Sequence, residues 1–308
     1  MHKCFVLVKN LRSNSRILKF SDFKLWKVGS DRSLKETQQL FPKRYPLYED
    51  YVFEKSYEDK DSERIPFDIE DTLLLFRLFG TGDIFFTNPQ IEDPNGDRYG
   101  QATYPVMVYN NVTHSKYRIE TNDCQRFDTF VSNLLSMPNW SSHWFKIARR
   151  FFLYGGGKEY NPIHNLVDRV VDYMIVLEAI LVPEKDFVGR RLRERAVSLL
   201  IAHKINPDDT KRLLRDFYNV RSTIVHGGDM SVFKNNVLNR IIDFETIVRK
   251  IIIEALRVFP NGNERRVYLK RHFDICDKDR SLKVYNDFCS IKKEAEKANC
   301  RDLILKRF

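Results

Sequence analysis

Cysteine is scarce in this 308-residue chain. There are five, Cys4, Cys124, Cys276, Cys289 and Cys300, and none forms a Cys-x-x-Cys pair. Scattered single cysteines argue against a disulfide framework and against a zinc site, and they fit a reducing, cytoplasmic compartment. Glycine and proline are few, 12 and 11, which excludes collagen-like or linker-like composition. Long apolar runs are missing. Met174-Ile175-Val176-Leu177 and Ile251-Ile252-Ile253 fall far short of the ~20 residues that a membrane-spanning helix requires. The N-terminus lacks a long apolar core followed by small residues, so no signal peptide is expected. No repeat of fixed period, Gly-rich phosphate loop, metal-ligand spacing or nucleophile elbow occurs, and neither metal nor cofactor is expected.

The chain has enough apolar matter to fold. Hydrophobic residues make up 43% and aromatics 13%, too many for a disordered chain. At roughly 150 residues per domain, the length suggests two domains. Charge divides the chain in the same way. Residues 1–138 carry 19 Lys and Arg against 20 Asp and Glu, whereas 139–308 carry 33 against 22. All of the net charge of +10 therefore belongs to the second part. A basic excess of this kind suits a polyanionic partner, nucleic acid first, or equally a solvated basic surface.

The predicted architecture is α+β: a mixed α/β domain over 1–138, an up-and-down helical bundle over 139–262, and a basic helical extension over 263–308. In the first part, Cys4 to Val8, Phe20 to Val28, Ile84 to Phe86, Pro105 to Tyr109 and Tyr117 to Glu120 read as strands. The acidic stretch Glu54 to Glu63 reads as an exposed loop. Asp68 to Asp71 reads as the start of a helix that stops at Gly80. From about Asn122 the apolar period becomes helical. Ser141 or Ser142 caps a helix carrying Trp144, Phe151 and Phe152, whose spacing marks them as core. Asn161-Pro162 and Asn206-Pro207 each place an N-cap before a first-turn proline, and Gly227-Gly228 ends the second of these helices. One long helix is predicted over Val232 to Phe259, and another around Ser281 to Ala298.

Candidate functional residues cluster in Arg221-Ser222-Thr223-Ile224-Val225-His226-Gly227-Gly228. Imidazole exchanges protons near neutral pH, and guanidinium offers a planar fork to phosphate oxygens. Five residues apart on a regular helix, Arg221 and His226 point about 140° away from each other. A bend at the glycines is expected to swing the imidazole back toward the arginine or toward a second subunit. Arg190, Arg191, Arg193 and Arg195, with Lys211, Arg212 and Arg215, are candidates for following an RNA backbone, or for solvent faces paired with Glu194 and Asp208. Glu178 is either a support for Arg221 or a solvated acid. His143, His164 and His203 lack partners at ligand spacing and are read as structural. Asp168 and Asp172 share a helix face, as acids commonly do.

The segment from Phe217 to Gly228, with Arg-x4-His-Gly at the end of a bundle helix, resembles the HEPN superfamily and is similar to its ApeA-like branch. The earlier helix from Leu166-Val167-Asp168 to Leu177-Glu178-Ala179-Ile180-Leu181 is similar to that branch as well. The resemblance covers roughly 140–262. It implies a metal-independent endoribonuclease in which the ribose 2′-OH attacks the adjacent phosphate, leaving a 2′,3′-cyclic phosphate and a 5′-OH. His226 would be the general acid/base and Arg221 the phosphate holder. Active relatives often carry Asn, Asp or His after the arginine, where Ser222 stands here; serine can hydrogen-bond but shares proton transfer less readily. The family commonly forms dimers with two motifs at one cleft, and known contexts include toxin–antitoxin pairs and defence against phage. Many members are non-catalytic and bind nucleotides or partner proteins. RNA, a second copy and a regulatory protein are the partners this implies, with no membrane.

Overall fold

The computed structural model describes residues 1–30, 32–41, 49–87, 89–100, 116–155, 162–184, 187–203, 205–228, 237, 239–260 and 264–273. The strand predicted over Pro105 to Tyr109 and the helix around Ser281 to Ala298 lie outside the described residues. The remainder is an antiparallel sheet followed by a run of helices.

The sheet is built on β1 (His2–Lys9), which pairs antiparallel with β5 (Tyr51–Tyr57) in the register Val6 to Phe53. On its other edge β1 meets β6 (Phe85–Phe86) and β7 (Gln90–Glu92), and β7 continues to β8 (Arg98–Gly100). Beyond β5 lies the hairpin of β4 (Lys24–Lys27) and β3 (Ile17–Lys19). A separate parallel ribbon joins β2 (Leu11–Arg12) to β9 (Tyr117–Arg118). β1 is apolar without alternation because both faces are covered. Phe5 and Leu7 join Trp26, Val52 and Leu40 of α1 (Leu34–Leu40) on one face. Cys4, Val6 and Val8 face the main core on the other. Burial pushes the Cys4 thiol up to about 12, so it has no nucleophilic character at neutral pH.

Two readings of this region need correction. Phe20 to Val28 is not one strand: Phe20 N–H closes a turn onto Phe23 O, and the segment is the end of a hairpin. Glu54 to Glu63 is not a loop. Its first residues complete β5, and its charges are absorbed from a distance. Glu54 accepts from Trp26 Nε1 at 2.9 Å, and Lys55 donates to Asp68 at 2.6 Å and Asp22 at 2.7 Å.

Helix α2 (Ile65–Phe79) starts three residues before the predicted acids, with Pro66 in its first turn, and ends at Gly80 as expected. It is buried on most of its surface because it lies between the sheet and the helices that follow. Those are α3 (Thr121–Leu135), α4 (His143–Gly155), α5 (Pro162–Leu181), α6 (Val188–Leu200), α7 (Pro207–Val225), α8 (Ile241–Val258) and α9 (Glu264–Phe273). Ser142 Oγ accepts from Phe145 N–H at the start of α4, and Trp144 and Phe152 are buried as predicted. Asn206 Oδ1 accepts from the N–H groups of Asp208 and Asp209, capping α7 ahead of Pro207. The predicted single helix over Val232 to Phe259 is interrupted in the structure: Val237 is helical, a turn at 239–240 follows, and α8 begins at Ile241, with 232–236 and 238 outside the described residues. Among the described residues no helix is long and apolar enough to cross a membrane.

α5 is the central helix and packs against α4, α6, α7 and α8. Its C-terminal carbonyls are held by arginines. Arg195 donates to Leu181 O at 2.6 Å, and Arg265 to Ile180 O at 3.0 Å and to Ala179 O. Cations here complement the negative end of the helix dipole. The apolar core is continuous from Cys4 to Leu269, so sheet and helices share one interior.

Polar groups are buried at their junction. Arg77 of α2 donates to the carbonyls of Phe152 and Leu153 and, at 3.2 Å, to Tyr173 Oη. Tyr173 Oη donates to Glu245 at 2.8 Å. Arg169 of α5 reaches Asp83 at 3.2 Å and Glu245 at 3.4 Å, and Arg249 of α8 donates to Gly80 O. Burial works against the Arg169 charge, and Tyr173, Asp83 and Glu245 together more than restore it.

Candidate functional site

The site forms where α7 ends beside α5. Arg221 lies on the last turns of α7, half-buried, with its guanidinium 3.4 Å from a Glu178 carboxylate oxygen of α5. The ion pair is incomplete. Neither Arg221 Nε nor Glu178 Oε1 has a hydrogen-bond partner, although both atoms are buried. Burial raises the Glu178 carboxyl above the usual carboxylate range, and the Arg221 charge opposes this only in part. Glu178 is thus within ion-pair distance of Arg221 rather than fully solvated. Of the five N–H donors of the guanidinium, the contact with Glu178 engages Nη2, and the unpaired Nε is itself shielded from solvent.

His226 is the C-cap of α7 and is exposed. Its N–H still donates to Ser222 O at 3.1 Å, so the backbone is helical up to this point. The chain reverses one residue later. Gly227 has φ +69°, its N–H donates to Ile224 O, and Gly228 N–H donates to Thr223 O at 2.8 Å. These two bonds form a Schellman cap. The bend expected to swing His226 back toward Arg221 therefore lies after the histidine, and the two side chains leave a regular helix about 140° apart. Ser222, partly exposed, lies beside Arg221.

The glycine is needed because few side chains tolerate this backbone. A Cβ at Gly227 would meet nothing within 4 Å, so a substitution there reports conformational cost alone. Gly227→Ala is expected to lower stability by about 1 kcal/mol, and Gly227→Asn by less, since asparagine enters the left-handed region more readily. Urea denaturation of the two variants checks this; equal stability of Gly227→Ala and the parent would refute it.

The remaining candidate cations separate into exposed and structural. Lys211, Arg212 and Arg215 are exposed on α7, with Arg212 3.3 Å from Asp209 and Arg215 3.6 Å from Asp216. On α6, exposed Arg190 pairs with Glu194 at 2.9 Å, and half-buried Arg191 lies 4.0 Å from Glu184. Arg195 must be withdrawn from the RNA-facing row. It is fully buried, bound to Glu184 at 2.7 Å and to the end of α5, where no ligand backbone reaches. His203 Nε2 lies 3.0 Å from Glu254, and His143 is exposed. The side chain of His164 lies outside the described residues. Among the described residues no group of three or more His, Cys, Asp or Glu side chains is placed to hold a metal ion.

A second constellation escaped the sequence reading. Arg12, Lys27, Lys116 and Arg118, spread over three strands and a bridge, converge on one cleft in the sheet region. No known protein family, curated protein or solved structure matches this chain.

Proposed function

We propose that this protein is a metal-independent endoribonuclease of HEPN type, acting as a homodimer in cytoplasmic defence against phage or in a toxin–antitoxin-like pair. The single observation that carries the reading is an exposed imidazole at the cap of α7, five residues from a half-buried guanidinium that contacts Glu178 through one nitrogen. His226 takes the proton of a ribose 2′-OH as that oxygen attacks the adjacent phosphorus, and a proton is returned to the departing 5′-oxygen. Arg221 neutralises charge gathering on the phosphate oxygens, and Glu178 holds the guanidinium in place. Because the two side chains diverge on one helix, each phosphate is met by Arg221 of one copy and His226 of the other. The exposed Lys211, Arg212 and Arg215, with Arg190, track the RNA backbone.

The test is incubation of the full chain with total RNA in EDTA, with analysis of the ends. Cleavage that survives chelation and leaves 2′,3′-cyclic phosphates is expected, falling about 10²–10⁴-fold in His226→Ala. Intact RNA at high protein concentration would remove the enzyme. The second reading is a non-catalytic module that binds a nucleotide or a regulatory protein. It is favoured by the Arg221–Glu178 contact, which by itself serves packing between α5 and α7.

A further inference from the structure

A cleft of about 440 Å³ opens in the sheet region beside the β2–β9 ribbon. Its residues come from the N-terminal part alone, and it shares none with the α7 site. Tyr51 and Leu11 form a buried floor, and Tyr51 Oη is committed to the carbonyls of Ser13 and Ser15. The rim is basic. Arg12 and Arg118 are register partners on adjacent parallel strands, so their Cα atoms are about 4.8 Å apart and both residues line the same cleft. Lys27 of β4 and Lys116 add two further cations.

The acids present pair with only one of these four cations, Lys116. Glu120 is occupied by Ser13 Oγ and Asn14 N–H, each at 3.0 Å, and by its place as N-cap of α3. Exposed Glu49 reaches Lys116 at 3.4 Å. Among the described residues no carboxylate pairs with Arg12, Lys27 or Arg118. Like charges placed side by side across strands destabilise a sheet, and an anion seated between them removes that cost. This basic group also stands in a part of the chain whose own net charge is slightly negative, so it is a local arrangement.

We propose that this cleft binds the phosphoryl groups of a small phosphorylated ligand of nucleotide size, with Arg12 and Arg118 as a paired guanidinium clamp and Lys27 as a third cation. Two forks side by side match a dianionic oxygen face better than point charges do, and the volume is within the range of small-molecule sites.

Calorimetric titration of the full chain at low salt with ADP, inorganic pyrophosphate and adenosine tests this. ADP and pyrophosphate are expected to bind, more weakly as salt is raised, while adenosine gives no measurable heat. Arg12→Gln with Arg118→Gln is expected to weaken both phosphate ligands by at least about tenfold. Both residues are exposed. Should the double variant nonetheless unfold, Arg118→Lys, which keeps the charge and loses the fork, is expected to bind several-fold more weakly than the parent. No heat with either phosphate probe, unchanged affinity in the variants, or adenosine binding as well as ADP would each overturn the assignment. Because no RNA is present in the titration, its outcome is independent of whether the α7 site cleaves.

Discussion

Arg169→Met is expected to cost about 3–5 kcal/mol of folding free energy, the largest effect of any single substitution considered. Arg169 is the cation between Asp83, which is 2% exposed, and Glu245, which is 6% exposed. Removing it leaves two carboxylates in the interior without their counter-charge, and a buried charge stripped of its partner is penalised far more than the pair is worth. The substitution also disturbs Tyr173, whose hydroxyl links Glu245 to Arg77 and through it to the C-terminal carbonyls of α4. Asp83 sits at the sheet side of this junction and Glu245 in α8, so the damage falls on the attachment between the two parts. A double variant separates charge from packing: Arg169→Met with Asp83→Asn is expected to recover part of the loss, because one of the orphaned anions is gone. Urea midpoints at constant slope provide the measurement. A loss below about 1 kcal/mol for the single variant would mean that water already reaches these groups.

Features set by local chemistry were legible before the structure. The limits of α7 follow from Asn206-Pro207 and Gly227-Gly228, because capping involves atoms a few residues apart. The same holds for the end of α2 at Gly80. β5 was hidden for the opposite reason. Glu54 and Lys55 look like loop residues until Trp26, Asp22 and Asp68 arrive from elsewhere in the chain to satisfy them. Arg195 is an intermediate case. Its neighbours Arg190, Arg191 and Arg193 suggested a basic surface, yet it stands three and four residues from Leu192 and Leu199, on the apolar side of α6. The helical period carried that signal, and reading the arginines as a block obscured it. The clamp of Arg12 and Arg118 left no trace in sequence, since register pairs residues from two strands far apart in the chain.

The bend at Gly227, with the helix intact up to the histidine before it, makes the ribonuclease reading testable in a way that a single variant is not. If the helix had broken before His226, one chain could supply both groups to one phosphate. With the helix regular through the His226 N–H, the imidazole and the guanidinium leave on different sides, and on the proposed reading a second copy completes each site. Arg221→Ala and His226→Ala are therefore expected to be inactive alone and active together. In a two-fold dimer each site takes one residue from each chain, so a mixed pair has one site with both groups and one with neither. Isolated by a different tag on each copy, the mixed dimer is expected to retain about half of the parent cleavage rate, against losses of about 10²–10⁴-fold in either uniform variant. If both groups came from one chain, every site in the mixed dimer would lack one of them and no recovery would occur. Recovery requires nothing of the RNA sequence or of the trigger. An inactive mixed dimer made from an active parent would refute the shared site while leaving the chemistry of His226 in place.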